Sequence, residues 1–249
     1  MIGKEFYMPR KRRAIMPPLA VFVLLSSVMA VPIIWLSPSA GAASCGTAEV
    51  TFDGTNVGSQ NVYYVQSNIT TNVPTLCGAS NSHSSAWTMI QGSAGSGGYA
   101  QSGYIRLKGY STAHMFAEYN EYNSGSFHFK EGAAAPSGAS LYYESYDFSA
   151  GDIQMVVDTS TLLLTTDFDP ELVWTTPWVP EWEGETHHTG DNMPGTASAR
   201  TYFSSMLVTT SRGGGAVTPS GLTVSVSNPG TNYGVAWDTV DSKFDIWTK

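Results

Sequence analysis

Residues 181–188 read Glu-Trp-Glu-Gly-Glu-Thr-His-His, three carboxylates and two histidines in a chain of which only 13% is charged. A carboxylate such as Glu185 can take up and return a proton if burial and neighbours hold its pKa near the working pH. Glu183, two residues away, raises that pKa by like-charge repulsion. In an extended strand Glu183 and Glu185 share one face, with Trp182 and Gly184 on the other. Gln101, in the stretch "GYAQSGYIRL", supplies a complement. A neutral amide does not move protons at useful rates, but it donates a hydrogen bond to an oxyanion and orients a water. A Glu and a Gln facing each other across a groove suffice for attack of water on an amide.

Two further segments carry the same kind of side chain. In "SAWTMIQG", Trp87, Met89 and Gln91 fall on one side of a strand. In "MFAEYNEY", Glu118 and Glu121 stand among aromatics. His187, His188 and Asp191 suggest a metal, but adjacent histidines in a strand point to opposite faces and zinc wants three well-placed protein ligands. No metal and no cofactor is therefore expected. His83, His114 and His128 are scattered and read as surface or core-edge residues.

Other classes of function fit some of these residues. The carboxylates of 181–185 can be the solvated face of an edge strand, where charge opposes aggregation. Trp174, Trp178, Trp182, Tyr119 and Tyr122 can form a stacking platform for a glycan, in a non-catalytic carbohydrate- or surface-binding protein. A glycoside hydrolase would set Glu118 or Glu121 opposite Glu185. Gln101 discriminates, because neither alternative needs it.

The elements that must position these groups are strands. After the first forty-odd residues the chain shows short alternating runs, "AEVTF", "YIRL", "SFHFK", "LYYESYDF", "IQMVV" and "LTVSV", separated by Gly, Ser, Asn and Pro clusters. About a dozen strands at roughly ten-residue spacing predict an all-β fold, an antiparallel β-sandwich or jelly roll of the concanavalin-like type. In such a fold alternate residues of separate strands converge on one concave face. Residues 44–249 are long enough for one domain and short for two. The tail from 215 to 249 either completes the sheets or forms an appended hairpin.

The N-terminus reads as a leader. Arg10, Lys11, Arg12 and Arg13 precede an apolar run, and Ala40-Gly41-Ala42 offers a signal-peptidase site, so residues 1–43 are expected to be removed and the protein secreted. No stable membrane association is then expected. Of 12 basic and 20 acidic residues in the chain, five basic and one acidic lie in 1–43. The remainder keeps 7 basic against 19 acidic residues, a net of −12. That surface disfavours nucleic acid and anionic membranes as partners, and a monomer is expected. Cys45 and Cys77 are expected to form a disulfide in an oxidising compartment, worth roughly 3–4 kcal/mol in the chain-entropy view.

The order of "AWTMIQG", "AQSG", "FAEY" and "EWEGE" resembles the secreted glutamic peptidases of the eqolisin type. Their pattern is Ala-Trp-Val-Gly-Ile-Asp-Gly, then Gln-x-Gly, Trp-Tyr-Glu-Trp and Glu-Trp-Ile-x-Glu. The resemblance implies a β-sandwich endopeptidase that needs no metal and acts on polypeptides at acidic pH. It implies Gln101 and Glu185 as the catalytic pair and Trp87 and Glu118 as groove-lining residues, with Trp182 and Tyr119 beside them as substrate contacts. The stretches "EWEGETHHTGDNMPG" and "ARTYFSSMLV" also resemble the neprosin-like branch, although that branch has Glu where this chain has Gln101. Gln91 replaces the Asp of the first segment, Phe116 and Tyr119 replace two tryptophans, and Gly184 interrupts the last segment.

Overall fold

The computed structural model describes residues 45–56, 60–93, 97–121, 127–149, 151–166, 169–226, 232–239 and 242–249. The expected leader, residues 1–43, and Tyr122 lie outside these. Among the described residues no helix is long and apolar enough to cross a membrane. The strands of the first half are β1 (Ala48–Asn56), β2 (Tyr64–Thr70), β3 (His83–Gln91), β4 (Tyr99–Leu107), β5 (Ala113–Asn120), β6 (Phe127–Ala135), β7 (Ser140–Ser149) and β8 (Asp152–Val157). Those of the second half are β9 (Ser160–Leu164), β10 (Val179–His188), β11 (Gly195–Thr196), β12 (Ala199–Thr209), β13 (Thr223–Val226), β14 (Tyr233–Thr239) and β15 (Lys243–Thr248). One helical turn, α1 (Pro170–Val173), precedes β10; the Asp169 carboxylate caps it by accepting the Glu171 N–H at 2.9 Å.

The strands form two sheets, β13-β1-β10-β3-β4-β5-β6 and β14-β15-β11-β12-β2-β7-β8-β9. The pairings are antiparallel except for the short β11–β15 contact. The expected sandwich is present. The tail pairs with both sheets, β13 on the edge beside β1 and β15 against β12, with β14 antiparallel to β15. Cys45 and Cys77 form a disulfide that ties the start of β1 to the loop before β3.

Alternation decides which side chains enter the core. Ala86 and Ile90 of β3, Tyr104 of β4 and Trp182 of β10 meet Ile69, Tyr143, Met155, Phe203 and Phe244 of the other sheet, all buried. Two pairs of hydroxyls that follow them inside bond each other: Ser67 with Thr88 at 3.1 Å, and Tyr104 with Thr201 at 3.0 Å. Part of the outer face of the first sheet is buried as well. Trp87, Met89, Ile105 and Phe116 form a second apolar cluster there. Strand β3 is thus covered on both sides, so its sequence loses the simple alternation of a half-exposed strand.

Asp53 is a buried carboxyl group without such a partner. It is 1% exposed, and neither carboxyl oxygen has a hydrogen-bond partner among the described residues. Desolvation, partly offset by Lys249, pushes its pKa up to about 7. The folded protein therefore holds a proton that the unfolded chain releases from about pH 4, and Asp53 makes stability fall as pH rises from there to about 7. Asp53→Asn is expected to be more stable than the parent by roughly 2–4 kcal/mol at pH 8 and nearly equal to it at pH 4. Urea unfolding at the two pH values checks this.

Candidate active site

A groove of about 850 Å³ runs over the outer face of the first sheet. Cross-strand register arranges its floor in rows. Glu181 of β10 pairs with Met89 of β3, Met89 with Gln101 of β4, Gln101 with Glu118 of β5, and Glu118 with Phe129 of β6. The next row holds Glu183, Trp87, Gly103 and Phe116, and the one after it Glu185, Ser85 and Ile105. In the other direction lie Gln91, Tyr99, Asn120 and Phe127. All of these except Gly103 line the groove.

Two glycines let bulky groups lie close across the middle row. A Cβ on Gly103 would stand 2.7 Å from the Trp87 Cα, and one on Gly54 would stand 2.8 Å from the Glu183 Cγ. The side chain of Glu183 thus leans over β1, away from Gln101. Glu185 is held at both oxygens: Trp87 Nε1 donates to one at 3.2 Å, and His83 Nε2 lies 3.6 Å from the other. Burial opposes protonation of His83, but the hydrogen bond and charge of Glu185 outweigh it and raise the pKa. Tyr99 donates its hydroxyl to Glu118. Burial raises the pKa of Glu118, the Tyr99 bond opposes this, and the charge of Glu185 adds to it. Burial alone raises Glu181 to about 7.

Gln101, Glu185, Trp87 and Glu118 all face the groove. The spacing between them differs from the expected pairing. Glu181 and Gln101 share a row, two strand spacings or about 10 Å apart at Cα. Glu185 is four residues further along β10, about 13 Å down the strand from that row. The sequence shows three acidic residues of equal parity; only the register of β10 on β3 and of β3 on β4 tells which of them stands level with Gln101.

Trp182 and Tyr119, expected as substrate contacts, are on the opposite face. Trp182 is fully buried between the sheets and its Nε1 donates to the Gln66 carbonyl at 3.0 Å. Tyr119 is 2% exposed and stacks on His128 with ring centroids 4.3 Å apart. Alternation requires this, since each is one residue from a groove-facing Glu. Trp174 and Trp178 are also core residues, their rings 5.6 Å apart. The described members of the expected sugar platform are thus buried. His188 faces the interior beside Asp191, while His187 stacks on His83 on the groove side with centroids 4.8 Å apart. The sequence reading missed His83, although it shares the parity of Trp87 and Met89.

Solved structures share this architecture. Scytalido-glutamic peptidase with a transition state analog inhibitor superposes with a TM-score of 0.60 at 14% identity, covering 82% of this chain and 100% of that one. The fold is that of the glutamic peptidases. The same peptidase with a peptide-based analog gives 0.58 at 13% identity, with the same coverage. SCP-B, a member of the eqolisin family in complex with the tripeptide Ala-Ile-His, gives 0.57 at 12%, again with 82% and 100% coverage. No protein-family model matches the chain, and no curated protein matches it.

Proposed function

We propose that this protein is a secreted, monomeric endopeptidase of the glutamic type, with Glu181 and Gln101 as its reacting pair. The observation that carries this reading is their common row on the groove floor, level with Glu118. The likeness in fold to glutamic peptidases supports it. A polypeptide laid in the groove presents its carbonyl between the two side chains. Ionised Glu181 takes a proton from water, and the hydroxide attacks the carbonyl carbon. The Gln101 amide donates to the developing oxyanion. Glu181, now protonated, returns the proton to the leaving amine as the C–N bond breaks. Glu118, Trp87 and Phe116 shape the walls, and Glu185 has no part in the proton transfers.

The raised pKa of Glu181 fixes the pH dependence. The base is ionised only as pH approaches about 7, so the acidic optimum implied by the resemblance moves toward neutrality. Hydrolysis of an unfolded protein by the mature chain, followed from about pH 2 to 8 with chelator present, is the test. The expected kcat/KM rises about tenfold per pH unit and levels off near pH 7. No cleavage by a folded sample at any pH would remove the peptidase reading.

Met89 bears on rate. It stands between Glu181 and Gln101, is 5% exposed, and occupies the place of a glycine in the resembled pattern. Its thioether fills space that a shared water needs. Met89→Gly is expected to raise kcat/KM by about tenfold, worth about 1.4 kcal/mol at the transition state; an unchanged or lower rate would show that Met89 already bends aside.

A further inference from the structure

Beyond the row of Glu181 and Gln101 the groove floor changes character. Four residues further along β10, Glu185 lies in a row with Phe52 of β1, Ser85 of β3 and Ile105 of β4. Phe52, Ile105 and Leu107 pack with Trp87 in one apolar cluster, and the Phe52 and Trp87 rings meet edge to face with centroids 6.1 Å apart. All of them line the groove together with Glu185. A carboxylate is thus set into an apolar surface. Trp87 Nε1 donates to one of its oxygens at 3.2 Å, and His83 Nε2 stands 3.6 Å from the other. An ionised carboxylate accepts about four hydrogen bonds, so Glu185 keeps acceptor capacity, and its side chain is 17% exposed. The proposed hydrolysis makes no use of it.

We propose that this end of the groove is a subsite for a lysine or arginine side chain of the polypeptide, with Glu185 as its counter-charge. A side chain with an apolar stem and a cationic head fits a surface whose walls are apolar and whose far end accepts hydrogen bonds. Phe52, Trp87 and Ile105 supply the walls, and Glu185, steadied by the indole, supplies the acceptor. A charge-assisted bond to a fixed carboxylate is of the strong kind. The remaining lining reinforces the sign. Glu118, Glu181 and Glu183 face the same groove, and none of its described lining residues is Lys or Arg. A cleft of one sign concentrates ligands of the other, and an acidic side chain at the same place meets repulsion with nothing to offset it.

The distance of this subsite from the cleaved bond rests on the peptidase reading. Glu181 and Gln101 stand on either side of β3, so a polypeptide passing between them runs along β3, over Met89 and Trp87. An extended chain rises about 3.3 Å per residue, as the strand beneath it does. The step of about 13 Å from the row of Gln101 to that of Glu185 is then about four substrate residues. An even number keeps that side chain turned to the groove floor.

The test uses synthetic peptides of uncharged sequence in which a single lysine is moved from position to position, with norleucine or glutamate as replacements. Cleavage by the mature chain near pH 7 is expected to be roughly tenfold faster in kcat/KM with lysine than with norleucine four residues to one side of the cleaved bond, and slower with glutamate. The ratio should fall to near one in the isosteric Glu185→Gln and favour glutamate in Glu185→Lys, while His128→Ala, outside the groove, keeps the ratio of the parent. Equilibrium binding of the same peptides to the parent, followed by tryptophan fluorescence, should show the same preference and lose it as salt is raised. Cleavage or binding that is indifferent to lysine at every position, or a preference unchanged in Glu185→Gln, would overturn the subsite and leave the peptidase reading standing. Lysine-selective binding that depends on Glu185, without any cleavage, would keep the subsite and remove the peptidase reading.

Discussion

Glu181→Gln is expected to lower hydrolysis of a protein substrate by roughly three orders of magnitude, the scale of a lost general acid–base group. The substitution is isosteric and removes a carboxylate that burial already disfavours, so the melting temperature should not fall. Gln101→Ala removes the oxyanion donor, and its expected cost is roughly 10²–10³ in kcat. The double variant should be little worse than Glu181→Gln alone, because residues that act as a unit do not lose rate additively. Glu185→Gln should stay within about tenfold of the parent, since Glu185 is about 13 Å along β10 from the row of Gln101. Initial rates on an unfolded protein near pH 7 separate these four proteins. A collapse of activity in Glu185→Gln with activity kept in Glu181→Gln would move the chemistry to the Trp87 end of the groove.

That panel rests on a distinction the sequence does not contain. Parity is written in the chain: Glu181, Glu183 and Glu185 share a face because side chains alternate, and the structure places all three in the groove. The all-β architecture is equally plain in the alternating runs, because turn residues mark where each strand stops. Register is different. It depends on which strands become neighbours and how each slides along the next, and β10 joins β1 and β3 only after more than eighty residues of intervening chain. A shift of two residues leaves every side chain on its own face and costs little in local pattern. It nevertheless changes which Glu is level with Gln101. Burial follows similar logic. Trp182 and Tyr119 look like groove residues because they adjoin acidic ones, yet that adjacency is what turns them toward the core. His83 carried no local signal beyond its parity. Its contacts emerge only when β3 and β10 lie side by side and bring it against His187 and Glu185.

Trp182→Ala is expected to destabilise the protein by about 3–5 kcal/mol, the usual cost of deleting a large buried aromatic. Trp182 is fully buried, and its indole reaches across from β10 to the Gln66 carbonyl of β2, joining the two sheets at the strand that carries Glu181 and Glu183. Loss of the ring leaves a cavity between the sheets and removes that bond. Trp182→Phe keeps most of the volume and loses the hydrogen bond, so its expected cost is smaller, about 1–2 kcal/mol. A substrate-contact role makes the opposite forecast, with KM rising in Trp182→Phe and stability unchanged. Urea unfolding by circular dichroism, paired with KM measured well below the unfolding midpoint, tells the two apart. The structural position requires a lowered midpoint with KM near that of the parent, because Trp182 turns its ring away from the groove that Glu181 and Glu183 face.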